Sequence, residues 1–170
     1  AFLKAGVMTT TGSVEGTITG TPQGGILSPL LANIALSILD DEFARRWNQD
    51  MANEVQRQRR RRKGQANYRL IRYADDFVIV VTGQREDAEQ LRDEVAAVIA
   101  PMGLRLSPDK TRVVHIDDGF DFLGFNIRRM RKRGSNKSFV YTRPSKKSIA
   151  SIKARVKTMT YRNTLHRDPG

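Results

Sequence analysis

The clearest structural pattern of this chain is the stretch Arg69-Leu-Ile-Arg-Tyr-Ala-Asp-Asp-Phe-Val-Ile-Val-Val81. Its two halves are rich in β-branched and aromatic side chains, which favour strands. Asp75 and Asp76 lie between the halves, and neither glycine nor proline stands beside them. Aspartate is common in turns because its side chain hydrogen-bonds the local backbone. The simplest prediction is therefore a β-hairpin with an acidic tip.

A metal site is the second interpretation of Asp75 and Asp76. Two adjacent carboxylates at a hairpin tip can both reach toward one point, which the alternation of side chains along a strand would prevent. Carboxylate oxygens suit Mg²⁺, which proteins typically hold through one or two carboxylates together with substrate phosphates. The pair is thus a candidate for metal-assisted chemistry on a phosphate-containing substrate.

Composition indicates the class of that substrate. The 170 residues include 30 lysines and arginines against 18 aspartates and glutamates, which gives a net charge of +12 and a pI near 10.6. An excess of this size draws polyanions such as nucleic acid. The chain has no cysteine, which excludes disulfides and thiolate metal sites. No apolar run is long enough to span a membrane, and the first residues lack the pattern of a signal peptide.

The remaining patterns predict an α+β fold. Helices are predicted from Ser28-Pro29 to about Trp47, from 85 to 100, and from Pro144-Ser145 onward. Strands are predicted at 104–106, 112–116, 120–127 and 138–142. The basic run 57–63 is typical of a frayed helix end or a disordered insertion, and 128–137 of a basic loop. Together these elements form a small antiparallel sheet backed by two helices, followed by a basic C-terminal helix.

A glycine-rich segment, Gly20-Thr-Pro-Gln-Gly-Gly-Ile-Leu-Ser-Pro-Leu-Leu-Ala-Asn33, contains the second chemical signal. Paired glycines let a backbone approach another molecule closely. Gln23 beside them offers both a donor and an acceptor to a base edge or a sugar. In one chain with the acidic hairpin, the segment predicts a nucleotide-binding loop.

Four segments, taken in order, resemble the palm motifs of reverse transcriptases, and the resemblance is greatest to the group II intron-encoded proteins that combine reverse transcriptase and maturase activities. They are Pro22–Asn33, Ile71–Phe77, Leu104–Thr111 and Gly119–Phe125. The likeness extends to Phe2–Val7 and Pro144–Ser148, so it covers nearly the whole chain. It implies a partial palm over residues 1–143, with a basic insertion around 48–67. Residues 144–170 would begin the thumb, which is called domain X in maturases.

The resemblance also implies roles for the matching residues. Asp75 and Asp76 would be catalytic and bind two Mg²⁺ ions, and Lys110 would act near the departing pyrophosphate. The substrate-binding residues would be Gln23, Gly24, Tyr73 and Ala74. The primer grip would be Phe122, Leu123 and Gly124. Nucleic acid would be bound by basic residues after the grip and at the start of the thumb, namely Arg128, Arg129, Arg131, Lys132, Arg133, Lys146 and Lys147.

Several of these residues have a structural alternative. Lys110 follows Ser-Pro-Asp, which is ordinary turn composition, so it could be a solvated turn lysine. Phe122 and Phe125 could be core residues, with the grip resting on backbone and shape. The run 57–63 could be a solvated insertion, and it could still reach RNA.

One part of the family pattern is missing. Reverse transcriptases complete the metal site with a third aspartate upstream of the Gly-Thr-Pro-Gln-Gly segment. The only acidic residue before Thr21 is Glu15, which does not belong to that motif. We therefore expect a fragment that lacks the fingers and the upstream aspartate motif, is inactive alone, and can form a homodimer through an exposed sheet edge.

Three functions remain open. The first is part of an RNA-directed DNA polymerase that works by two-metal nucleotidyl transfer, with RNA template, intron RNA, DNA primer or target, and deoxynucleoside triphosphates as partners. The second is a non-catalytic RNA-binding maturase module. The third is a scaffold half that folds only with a missing N-terminal partner. In each case we expect an intracellular, cytoplasmic protein of bacterial type without membrane contact.

Overall fold

The computed structural model describes residues 7–8, 14–15 and 28–160, and the chain divides into two compact units, Ala1–Thr111 and Arg112–Gly170. The first unit contains β1 (Val7–Met8), β2 (Val14–Glu15), α1 (Ser28–Asp50), α2 (Glu54–Arg62), β3 (Asn67–Tyr73), β4 (Asp76–Thr82) and α3 (Arg85–Ile99). The second contains β5 (Phe120–Phe122), β6 (Phe125–Arg131), β7 (Ser138–Pro144) and α4 (Lys146–Met159). This mixture of helices and small antiparallel sheets is the predicted α+β class.

The core of the first unit lies between the β3–β4 hairpin and the helices α1 and α3. Leu39 and Phe43 from α1 and Val95 from α3 are buried there. Alternate hairpin residues turn inward against them, as the period of a half-buried strand requires; they are Tyr68, Leu70, Phe77, Ile79 and Val81. The predicted hairpin and its two backing helices are therefore confirmed.

An arginine links the two backing helices at the edge of this core. Arg46 of α1 donates to Glu42 (Nε–Oε1, 2.6 Å) and to Glu94 of α3 (Nη1–Oε2, 2.5 Å). Hydrogen bonds from Arg45 and Arg46 lower the pKa of Glu42 to about 2. Glu42 therefore remains charged at neutral pH, and Arg46 joins α1 to α3.

The basic run 57–63 is not the frayed or disordered insertion that the sequence predicts, because most of it forms α2. The helix has a capping box: Asn53 accepts from the backbone N–H of Gln56, and the Gln56 side chain accepts from the backbone N–H of Asn53. Arg57 donates to the carbonyl of Met51, and Arg60 to that of Ala66. The cap at the N-terminus of α2 and these side-chain hydrogen bonds offset the repulsion between neighbouring arginines. The sequence pattern alone does not reveal these stabilising contacts.

Trp47 joins α2 to the hairpin. The guanidinium carbon of Arg57 lies 5.5 Å from the centroid of its ring, and that of Arg69 on β3 lies 4.7 Å from it. Both distances are within the range of cation–π attraction. The indole thus lies between two arginines from different elements.

The second unit is a three-stranded antiparallel sheet, in the order β5–β6–β7, with α4 following β7. Ser145 caps α4, because its hydroxyl accepts from the backbone N–H of Ser148 at 3.1 Å. The helix predicted from Pro144-Ser145 is therefore confirmed. The single strand predicted at 120–127 is wrong, since a turn at Leu123-Gly124 divides it into β5 and β6.

Two other predicted strands are absent from the described part of the chain. Residues 104–106 and 112–116 form no ladder, although the first segment alternates apolar and polar residues and the second is rich in β-branched residues. Leu104 and Leu106 instead pack against the core of the first unit. Ile116 has one bond of the ladder type, accepting from Arg129 at 3.0 Å. Apolar alternation predicts burial of one face, whereas a strand also requires a continuous backbone partner.

Within residues 7–8, 14–15 and 28–160, no helix is long and apolar enough to cross a membrane.

Candidate functional site

The tip of the β3–β4 hairpin holds the candidate active-site carboxylates. Tyr73 pairs with Asp76, which leaves Ala74 and Asp75 as a two-residue loop. Ala74 has a φ of 55°. Two-residue hairpin loops favour turns whose first central residue has a positive φ, because such turns match the twist of the strands. The acidic pair therefore spans the end of the hairpin: Asp75 lies in the loop and Asp76 is the first residue of β4.

Both carboxylates are available to a ligand. The residues Asp75 and Asp76 are exposed, and neither side chain has a hydrogen bond or ion pair within the described residues. Most other acidic side chains of the first unit are engaged, as Glu42 and Glu94 illustrate. Two free carboxylates from residues adjacent in the sequence could supply part of the ligand set of a hard divalent cation. The described ranges contain no group of three or more His, Cys, Asp or Glu that could hold a metal.

Arg72 fixes this loop to α1, and sequence reasoning missed it. Its guanidinium donates to both carboxylate oxygens of Asp40, from Nε at 3.1 and 3.0 Å. The Nη1 atom donates to the Asn33 side chain at 2.9 Å and to the carbonyl of Ala74 at 2.7 Å. The hydrogen bond with Asp40 raises the pKa of Arg72 above its usual value. One side chain thus connects the helix to the loop that contains Asp75.

The sequence does contain a signal for this contact. Arg72 occupies the inward-facing register of β3, following Tyr68 and Leu70 at alternate positions. Its side chain is only 13% exposed. A charged residue on an inward face requires a partner, and the acidic residues of the preceding helix were available candidates.

The predicted substrate-binding residues fall partly within the described structure. The Tyr73 side chain is 67% exposed beside the loop that Ala74 begins. Lys110 lies in a turn where its backbone N–H donates to Ser107 at 3.2 Å, and its exposed side chain has no partner in the described part of the chain. Tyr73 and Ala74 lie beside the acidic pair because they directly precede it in the sequence. Gln23 and Gly24 lie outside the described residues.

The predicted primer grip is a tight turn in the second unit. Phe122 pairs with Phe125, and the loop residues Leu123 and Gly124 have φ values of 49° and 80°. Positive φ at both central positions is the geometry of a type I′ turn. The Gly124 carbonyl accepts from the N–H of Ser145 and from the hydroxyl of Ser148, each at 2.8 Å. The turn is therefore fastened to the start of α4.

The predicted nucleic-acid contacts differ in their surroundings. Arg128, Arg129 and Arg131 belong to β6 and not to a loop, because their backbones pair with β7. Arg129 binds both carboxylate oxygens of Asp117, at 2.6 and 2.8 Å, and thereby lowers the pKa of Asp117.

The remaining basic residues of this predicted surface are exposed and point to no protein partner in the described ranges. They are Lys132 and Arg133 in the β6–β7 loop and Lys146 and Lys147 in the first turn of α4. These four cations have full freedom to contact an external anion, whereas Arg129 and Arg131 already have acceptors.

Comparison with known proteins agrees with these features. A family model described as reverse transcriptase (RNA-dependent DNA polymerase) matches residues 2–127. Protein YkfC of Escherichia coli (strain K12) is 36% identical over 143 residues, which cover 76% of this chain and 38% of the relative. The group II intron-encoded protein LtrA of Lactococcus lactis subsp. cremoris is 32% identical over 180 residues, covering 80% of this chain and 30% of the relative.

A more distant similarity extends to plants. The nuclear intron maturase 1, mitochondrial, of Arabidopsis thaliana is 29% identical over 157 residues, covering 75% of this chain and 21% of the relative. The chain therefore spans well under half the length of these curated relatives.

Proposed function

The chain belongs to the reverse transcriptase family, and we propose that it forms the palm and the start of the thumb of a group II intron-type RNA-directed DNA polymerase and maturase. The complete protein would extend a DNA primer on an RNA template. Its partners would be template and intron RNA, a DNA primer or target, and deoxynucleoside triphosphates. It would act inside the cell, in a bacterial-type cytoplasm.

The roles of individual residues follow from their places in the structure and from the family motifs. Asp75 and Asp76 would hold two Mg²⁺ ions, which would neutralise the charge that develops on the transferred phosphate. Tyr73 and Ala74 would contact the primer end and the incoming nucleotide, and Lys110 would balance charge on the leaving pyrophosphate.

The other predicted contacts complete this assignment. Gln23 and Gly24 would line the nucleotide and template pocket. Phe122, Leu123 and Gly124 would grip the primer through the shape of their turn.

One observation supports the proposal most directly: Asp75 and Asp76, whose carboxylates have no hydrogen bond or ion pair among the described residues, lie exposed at a hairpin tip that Arg72 fixes to α1, in a chain with a net charge of +12. A solubility role does not explain an acidic tip that is anchored by an internal arginine. The test is primer extension by the complete protein with a DNA primer on an RNA template and Mg²⁺. Tight RNA binding without any extension would favour the non-catalytic maturase module.

We expect the basic end of the β6–β7 hairpin to supply part of the RNA affinity. If about five phosphates are neutralised, a plot of log affinity against log salt has a slope near −3.5 to −4.5, depending on strandedness. Alanine at Arg128, Arg129, Arg131, Lys132 and Arg133 should flatten that slope. Alanine at Lys132 and Arg133 alone should produce most of the change, because the described structure gives their side chains no acceptor, whereas Arg129 and Arg131 have one. An unchanged slope in the fivefold variant would locate the footprint elsewhere.

We also propose that two copies of this chain associate through the hairpin. Within the described residues, β3 and β4 pair only with each other, so their outer edges are open. Ile71 and Val80 on the outward face are 49% and 50% exposed. Light scattering should give the mass of a dimer for the purified chain and that of a monomer for Val80→Lys, since a lysine blocks edge pairing. A monomeric parent chain would contradict the proposal.

A further inference from the structure

The arginines of α2 are sorted into two groups on opposite sides of the helix. Arg57, Arg60 and Arg61 are engaged: they bind the Met51 carbonyl, the Ala66 carbonyl and Glu54 respectively. Arg59, Arg62 and Lys63 are exposed, and their side chains have no hydrogen-bond or ion-pair partner within the described ranges. Arg59 and Arg62 share a helical face, and Lys63 is the C-cap residue that directly follows Arg62, so these three cations form a single stripe at the C-terminal end of α2. We call this stripe the free α2 face.

The engaged group accounts for the structural role of the basic run. Arg57 and Arg60 are 25% and 21% exposed, and they fasten α2 to the preceding loop and to the start of β3. Cations in the last turn of a helix are attracted to its C-terminus. Any of the arginines in the last turn of α2 can supply this attraction. The side chains of the free α2 face take part in neither of these bonds to the loop and to Ala66.

The free α2 face is instead unfavourable for the isolated protein. Like charges three and four residues apart on a helix repel one another. Arg59 and Lys63 are four positions apart, and neither side chain is paired with a carboxylate in the described structure. A row of exposed cations without carboxylate partners in the described structure is an arrangement that a polyanion would neutralise.

The position of this face separates it from the acidic tip. Ala66 and Asn67, to which α2 is bonded, lie at the far end of the hairpin from Asp75. β3 has seven residues, so this separation is about 20 Å at 3.4 Å per residue. That is about twice the distance over which physiological salt screens a charge. Cations on α2 therefore cannot act on groups reacting at the tip.

We propose that the free α2 face binds the phosphate backbone of RNA at a second site, remote from the reacting primer end. The proposal rests on the proposed function only in that it takes RNA as the polyanion. Its chemistry is contact of guanidinium and ammonium groups with phosphate oxygens, which positions a nucleic acid without reading its bases. RNA held there would be anchored outside the region where the primer is extended.

The test is salt-dependent binding of a labelled RNA hairpin to the complete protein carrying Arg59→Gln, Arg62→Gln and Lys63→Gln. Loss of three phosphate contacts should reduce the slope of log affinity against log salt by about two to three and weaken binding on the order of tenfold. Single-turnover extension from saturating primer–template should be unchanged. A DNA duplex of matching sequence should show the same loss or a smaller one.

A matched variant removes the same charge elsewhere. Arg45, Arg85 and Arg92 are exposed arginines paired with carboxylates on their own helices. Glutamine at these three positions should leave the slope nearly unchanged. An equal effect of both triple variants would overturn the proposal in favour of a general field effect.

Two further outcomes would also overturn it. Unchanged RNA binding by the α2 variant would leave the face to another partner, such as an acidic protein surface. A loss confined to the DNA duplex would assign the face to DNA. Either result could occur with normal primer extension, so it would leave the proposed polymerase function intact. Absence of extension in the parent protein would instead reject that function while the binding comparison could still be made.

Discussion

Asp75→Asn in the complete protein should reduce primer extension by about 10³-fold or more, the scale of one charge-stabilising group in phosphoryl transfer. The substitution keeps the shape of the side chain and removes the negative charge that would hold a cation. Asp75 lies in an exposed loop, and its side chain has no hydrogen bond or ion pair in the described structure, so the fold should tolerate the change. RNA affinity should stay within about twofold, because it arises from distributed lysines and arginines.

The comparison should include Asp41→Asn, which removes the same charge from an exposed residue of α1 in the same unit. That variant should extend the primer at the parent rate. Robust extension by Asp75→Asn would show that the hairpin tip is only a turn. Parallel loss of binding and extension would mean that the substitution had disturbed the fold.

Arg72→Met should lower the extension rate of bound primer–template on the order of 100-fold, the cost of a misplacement of about 1 Å at a reacting centre. Methionine fills part of the space but cannot donate to Asp40, Asn33 or the Ala74 carbonyl. The loop that contains Asp75 would lose its tie to α1. The effect should appear in the rate and not in the apparent affinity for primer–template, because Arg72 is a positioning residue that faces inward.

Arg46→Met is the matched control for this prediction. Arg46 also joins α1 to another element through carboxylates, but it does not contact the hairpin loop. Both variants should lose thermal stability, while only Arg72→Met should lose extension measured per folded molecule. Arg72→Lys should restore little, since an ammonium cannot match the planar fork that reaches all three partners. Equal rates for the two methionine variants would reduce Arg72 to a structural role.

The strongest sequence patterns predicted the parts of the fold that depend on local chemistry. The hairpin, α1, α3 and α4 follow from apolar periodicity and from end signals such as Ser145 before α4. Residues 104–106 and 112–116 were misassigned because strand formation depends on a partner that the local sequence does not contain. α2 was misassigned because its arginines are stabilised by contacts with Met51 and Ala66.

In the candidate site, too, the sequence reveals the residues with a local signal but not those that depend on packing. Asp75 and Asp76 stand out in the sequence, because an acidic pair between two apolar strands in a basic chain is unusual. The link from Arg72 to Asp40 joins residues 32 positions apart, and only the packing of β3 on α1 brings them together. The φ of Ala74 is likewise set by the two-residue loop and the twist of its strands, since alanine has no intrinsic preference for it.

Trp47 gives the chain an internal optical reporter. It is the only tryptophan among the 170 residues, and its ring lies between Arg57 of α2 and Arg69 of the hairpin. Departure of α2 from the hairpin would remove one of the two cations and change the solvent around the indole. The intrinsic fluorescence of this protein would then follow the docking of one short helix, without any label.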